Sequence, residues 1–336
     1  MLKPCLIDVP VLLIFFCRVD TFNKVFEQVK IARPSRLFLY QDGPRENRPS
    51  DAEGIQACRN IAEDIDWECE VHRFYQDVNV GCDPSEFIAQ TWAFSIVEEC
   101  IVIEDDDVPS QSFFPFCKEL LERYRYDERV NMICGTNQLG VNEKVEDDYF
   151  FSRTVNIWGW ASWRRVIQGW EADYPYLDDL RTDRLLKHEE TIKGNKHYFP
   201  NYINHKKSGK AHYESILGAD MILQSRVTVV PKYNLVTNIG ISGESTHSRD
   251  ALHKIPKAMR SVLSNPSHEL TFPLKHPKYM IADCEFDKAV FKILARSNWF
   301  QKWCRYIELF YLSLRYLGIK ATLQKSVNMI KGGFPI

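Results

Sequence analysis

The chain has 336 residues, 45% hydrophobic and 26% charged, the balance of a soluble globular protein with room for one large α/β domain or two small ones. Its formal net charge of −2 excludes a global basic field for nucleic acid. Ten cysteines include no Cys-x-x-Cys pair, and Cys17, Cys100, Cys117 and Cys134 sit inside apolar runs, so they read as reduced, buried thiols of a cytosolic protein.

Val11 to Cys17 is the most apolar N-terminal run. It is too short to cross a bilayer, which takes about 20 residues. Arg18-Val19-Asp20 follows it where a signal peptide would place a small-residue cleavage site. Residues 10–17 are therefore expected to form the first core strand. Asp20 or Thr21 is placed to cap a helix running to about Ala32, with Phe22, Val25, Phe26 and Val29 at helical spacing. Leu37 to Tyr40 reads as strand two and ends in the turn Gln41-Asp42-Gly43-Pro44. A helix over 51–65, a strand over Cys69–Phe74 and a helix over 85–98 follow. The alternation predicts a doubly wound, mostly parallel α/β sheet flanked by helices.

The next strand carries the strongest signal. Ile101-Val102-Ile103 runs directly into Glu104, Asp105, Asp106 and Asp107, and Val108-Pro109 is expected to stop the strand. Open α/β sheets bind ligands at the carboxyl ends of their strands. Four adjacent carboxylates repel one another, and a divalent cation such as Mg²⁺ or Mn²⁺ relieves that repulsion through oxygen ligands. A further helix (Phe113–Tyr124) and strand (Val130–Cys134) come next. Residues 148–170 then hold Trp158, Trp160, Trp163 and Trp170, residues 171–212 are polar, and Val227–Val230 is a late strand.

Arg18, Asp42 and the acid run end three strands that share one sheet edge, an arrangement suited to a nucleoside diphosphate. No Gly-x-Gly-x-x-Gly follows strand one, which argues against a dinucleotide site. Trp158, Gly159 and Trp160 fit a sugar-facing wall, because indoles stack on pyranose faces and glycine permits close backbone approach. The same tryptophans equally suit a core.

The segments Pro-Val-Leu-Leu-Ile-Phe-Phe-Cys-Arg, Leu-Phe-Leu-Tyr-Gln-Asp-Gly and Ile-Val-Ile-Glu-Asp-Asp, with the Phe-Phe helix after them, resemble metal-dependent GT-A glycosyltransferases. They are similar to N-acetylglucosaminyltransferase I and to bacterial sugar transferases of capsules and surface glycans. The resemblance covers roughly residues 8–250. It implies a nucleotide-sugar half over 8–140, an acceptor half over 141–250 and a C-terminal extension over 251–336. It also implies Asp106 as metal ligand, Glu104 and Asp105 at the ribose and donor sugar, and Asp42 at the nucleobase, hence a UDP-sugar donor. His247 would complete the metal or diphosphate site. Asp220, in Gly218-Ala219-Asp220, would be the catalytic base of an inverting transfer to a glycan or lipid-linked acceptor.

Two other readings compete. Asp105-Asp106-Asp107-Val108 approaches the first motif of haloacid-dehalogenase phosphohydrolases, but three strands precede it where that motif ends the first. A non-catalytic sugar-binding protein is the other. Residues 291–331 carry eight Lys or Arg against the single acid Glu308, with aromatic and aliphatic residues interleaved. That pattern predicts either peripheral contact with the inner face of a membrane or a helix packed on the catalytic domain or on a dimer partner.

Overall fold

Val11–Phe15 forms β1, and all five of its residues are buried. An unbroken apolar strand of this kind belongs in a sheet covered on both faces. The computed structural model, which describes residues 2–192, 198–240, 255–263, 265–294 and 299–332, has that arrangement. After β1 come α1 (Val19–Ala32), β2 (Arg36–Gln41), α2 (Ser50–Ala62), β3 (Glu70–Tyr75), α3 (Cys82–Ile96) and β4 (Glu99–Glu104). β1 pairs in parallel with β2 on one side and with β4 on the other, and β2 pairs in parallel with β3. The path from β3 to β4 runs back across the sheet, so right-handed crossovers put α3 on the face opposite α1 and α2. α3 packs on β1, β2 and β4, while α1 packs on α2.

The chain continues through β5 (Asp107–Pro109), α4 (Phe113–Arg123), β6 (Val130–Cys134), β7 (Tyr149–Ser152), β8 (Trp160–Trp163) and the short α5 (Arg164–Ile167). Then follow α6 (Leu180–Ile192), α7 (Tyr198–Ser208), α8 (Tyr213–Leu223), β9 (Val227–Pro231) and β10 (Val236–Asn238). The last helices are α9 (Lys257–Leu263), α10 (Cys284–Ile293) and α11 (Trp299–Gly332), the last broken at Gly318, where φ is +80°. The main sheet has eight strands in the order β3-β2-β1-β4-β8-β6-β9-β7. β8 and β7 run against the others, so the fold is the mostly parallel, helix-flanked α/β sheet that the alternation predicts.

Several local expectations are corrected. The strand does not run on to Val108-Pro109: β4 ends at Glu104, Asp105-Asp106 form a turn, and Asp107–Pro109 is a second strand, antiparallel to β10, with Asn238 opposite Asp107. Neither Asp20 nor Thr21 caps α1. Arg18 occupies the cap position, and the Thr21 hydroxyl donates to the Arg18 carbonyl. The polar stretch 171–212 contains α6 and α7, anchored through buried Leu186 and Tyr202. All ten cysteines are unpaired. Cys100, Cys117 and Cys134 are buried, while Cys17 is only partly covered.

Residues 265–294 fold back on the main body. Glu269 accepts from the backbone N–H groups of Gln111 (3.0 Å) and Ser112 (2.7 Å). Asp287 accepts from the Ser152 hydroxyl at 2.6 Å, and Phe286 meets the ring of Phe150 edge-on. Among the described residues no helix is long and apolar enough to cross a membrane.

Candidate functional site

β1 and β4 are neighbours, yet β2 and β3 extend the sheet beyond β1 while β8 and β6 extend it beyond β4. At such a switch point the loops after the two strands diverge and leave a crevice. Arg18 follows β1 and the acid run ends β4, so the topology brings them together there. The Arg18 Nη2 donates to Asp105, its Nη1 donates to Asp106 at 2.7 Å, and its Nε lies 3.3 Å from Asp105 Oδ2. The Phe16 backbone N–H donates to the same Asp105 oxygen at 3.3 Å. Arg18 thus bridges two consecutive carboxylates. Burial alone would lower its pKa, but Asp105 and Asp106 beside it raise it.

Asn238 ties the acid run to the second half of the chain. Its amide donates to Asp106 at 3.1 Å and to Asp107 at 3.0 Å. The Ile239 N–H donates to the Asp106 carbonyl at 2.8 Å. Gly240 then passes so close that a Cβ there would lie 2.1 Å from Asp106 Oδ2, so only glycine fits. Asp107 is fully buried and accepts from the Gly159 N–H at 2.9 Å. α8 closes the crevice from its other side, the Tyr213 hydroxyl donating to Glu104 at 3.2 Å.

Carboxylates crowd this place. Burial, then Asp106, Asp105 and Glu214, push Glu104 up to about 8. Burial raises Asp105 even against the Arg18 guanidinium. Burial and the nearby Glu104 hold Glu86 of α3 well above the usual carboxylate range, and the same two causes act on Asp107. Burial and mutual repulsion thus favour the protonated forms of these carboxyls, and a cation bound among them would favour ionisation instead.

The other expected site residues divide. Asp42 lies at the same sheet edge, but its oxygens are engaged. It accepts from the N–H groups of Gly43 (2.8 Å), Val80 (2.9 Å) and Gly81 (3.1 Å) and from the Asn79 amide (2.7 Å). It clamps the loop after β3, which leaves little acceptor capacity for a nucleobase. Asp220 is not brought to the crevice. It sits near the end of α8 remote from Tyr213, buried in a 2.7 Å ion pair with Arg226, which also reaches Glu128 at 3.3 Å before β6. Trp160 is fully buried between Phe94 and Trp170, which leaves it no surface for a sugar. Trp158 keeps partial exposure beside Gly159. His247 lies outside the described residues.

Tyr213, Glu214, Asn238 and Glu86 were not singled out in the sequence. Of these, Asn238-Ile239-Gly240 carried the one readable sign, a strand running into a glycine.

Among the described residues no group of three or more His, Cys, Asp or Glu side chains is arranged to hold a metal ion. The donor chemistry nonetheless suits one. Mg²⁺ usually takes one or two carboxylates and completes its shell with water and substrate phosphate. Asp106, held by Arg18 through Oδ2 and by Asn238 through Oδ1, would be the carboxylate to hold it.

No protein-family model matches the chain, and no curated protein matches it. Solved structures do. A UDP-glucose pyrophosphorylase complexed with UDP-glucose is 10% identical with a TM-score of 0.33, covering 68% of this chain and 91% of that one. A 4-diphosphocytidyl-2C-methyl-D-erythritol synthase from Anaerococcus prevotii is 8% identical with a TM-score of 0.34, covering 68% and 91%. The inositol-1-phosphate CTP transferase from T. maritima is 9% identical with a TM-score of 0.35, covering 77% and 96%. Function is therefore read from this chain's own residues.

Proposed function

We propose that the chain is an inverting, cation-dependent glycosyltransferase of the GT-A type, moving a sugar from a UDP-sugar to a hydroxyl of a glycan or lipid-linked acceptor. The observation that carries this reading is the Arg18 bridge across Asp105 and Asp106 at the β1/β4 switch point. A guanidinium and a carboxylate pair in one crevice are complementary to a diphosphate with its cation.

In this reading Asp106 would hold the divalent cation, which would offset charge developing on the departing diphosphate. Arg18 swings from the carboxylates to the phosphates. Glu104 and Asp105 orient the ribose and donor sugar. The Asp107–Gly159 hydrogen bond fixes the loop that presents Trp158 to the sugar side. The base must face the crevice from the acceptor side. Asp220, bound to Arg226, does not. Glu214 is assigned that role: it is exposed, follows Tyr213, whose hydroxyl meets Glu104, and lies near enough for its charge to act on Glu86 and Glu104. It takes the proton of the attacking hydroxyl.

The phosphohydrolase reading needs its nucleophile at the end of the first strand in the chain, and Asp105 follows the fourth. The test is turnover of a panel of UDP-sugars with Mn²⁺, following UDP release and product anomer. Glu214→Gln is expected to lower kcat by about 100-fold or more while UDP affinity stays unchanged. A variant with full activity would remove Glu214 from the mechanism.

A further inference from the structure

We propose that the outward face of α11 docks the protein on an anionic lipid bilayer. Phe300, Trp303, Ile307, Phe310, Tyr311 and Leu314 are all exposed, between 40% and 57%. They recur every three or four residues, so they form one stripe along the helix. The opposite side faces the protein. Leu312 is buried, Arg305 donates to the Ile293 carbonyl at 2.8 Å, and Glu308 accepts from the Lys257 N–H at 2.7 Å. A surface helix ordinarily turns its apolar side inward. This one turns an aromatic-rich side outward, and contiguous exposed apolar surface marks an interaction site.

Charge selects the partner. Residues 291–331 hold eight Lys or Arg and one acid, Glu308. That single acid is engaged on the inner side with Lys257 and Arg305. Arg315 is exposed at the border of the stripe. The spacing would also let two copies pair helix to helix, but pairing would bring two strongly cationic segments together with no acids to offset them. An anionic surface meets the exposed Arg315 and the net positive charge of the segment favourably, and Trp, Tyr and Phe suit its interfacial layer. This inference stands apart from the catalytic reading.

The test uses the full chain and phosphatidylcholine vesicles with and without phosphatidylglycerol, followed by co-sedimentation. Binding is expected to the anionic vesicles and to weaken as salt rises. The double substitution Trp303→Ser with Phe310→Ser is expected to weaken it by about tenfold or more. Both side chains are exposed, so circular dichroism and melting should match the parent. Failure to bind anionic vesicles, or equal binding to neutral ones, overturns the proposal. So does a parent that sediments as a dimer without lipid and becomes monomeric on the double substitution.

Discussion

The Asp107 carboxylate accepts a 2.9 Å hydrogen bond from the backbone N–H of Gly159. One residue ends the acid run of β4, and the other begins the approach to β8, which pairs antiparallel with β4. Through this bond, and through Asn238 on β10, the acid run is fastened to two separate segments of the second half of the chain. The geometry of the crevice and the folding of that half are therefore coupled.

Gly159 has φ of +61°, and a Cβ there would lie 2.7 Å from Val236 Cγ2 on β10. Gly159→Ala is expected to lower stability by about 1–3 kcal/mol through strain and this clash. Thermal and urea denaturation measure that loss, and UDP affinity should fall with it because the displaced loop carries the Asp107 contact. A fully stable variant would place the loop elsewhere.

Asp220 and Arg226 are both nearly buried, with side chains 3% and 8% exposed. Removing Asp220 leaves the buried Arg226 guanidinium with only the exposed Glu128 as a carboxylate partner, so Asp220→Ala should cost about 3 kcal/mol of stability. UDP binding, measured at a temperature where the variant is folded, should match the parent. Weakened UDP binding by a folded variant would return Asp220 to the site.

The strands around the crevice were legible in the sequence because they are buried on both faces, and continuous runs such as Val11–Phe15 and Ile101–Ile103 have few other places to go. The acids and Arg18 were legible for the same reason, since parallel strands put their ends together. What was hidden depends on distant partners. β5 is three residues long and exists only through pairing with Val236–Asn238. The saturation of Asp42 comes from donors at Asn79–Gly81, on a loop with no periodicity. Trp160 and Trp158 are two residues apart, and the bend at Gly159 decides which one faces the core. Asp220 read as a site acid through the resemblance alone; its ion pair with Arg226 lies toward the end of α8 remote from Tyr213, a placement that no local pattern in the sequence announces.

The His205 ring stacks on His212 with centroids 3.8 Å apart, and its Nδ1 lies 2.8 Å from the Ser215 hydroxyl. His212 also faces Asp83 at 3.3 Å and the Ser208 hydroxyl at 3.2 Å. Burial, then His212, lowers the pKa of His205 below its ordinary 6.5. Below that value the unfolded chain binds a proton that the native state resists. Stability should therefore be full above about pH 6.5 and decline as pH falls toward the folded value. Comparing the melting profile of the parent with that of His205→Asn between about pH 7.5 and pH 5.5 isolates this contribution. The substitution should flatten the decline, and parallel profiles would show that His205 does not contribute.

The central claim is that the β1/β4 crevice binds a nucleoside diphosphate through a cation held by Asp106. Calorimetric titration of UDP, with Mn²⁺ and with chelator, tests it most directly when run on the parent and on Asp106→Ala. The account predicts Mn²⁺-dependent binding by the parent and a loss of about tenfold or more in the variant, with the fold unchanged by circular dichroism. Equal UDP affinity in both proteins, with the same response to Mn²⁺, would contradict it.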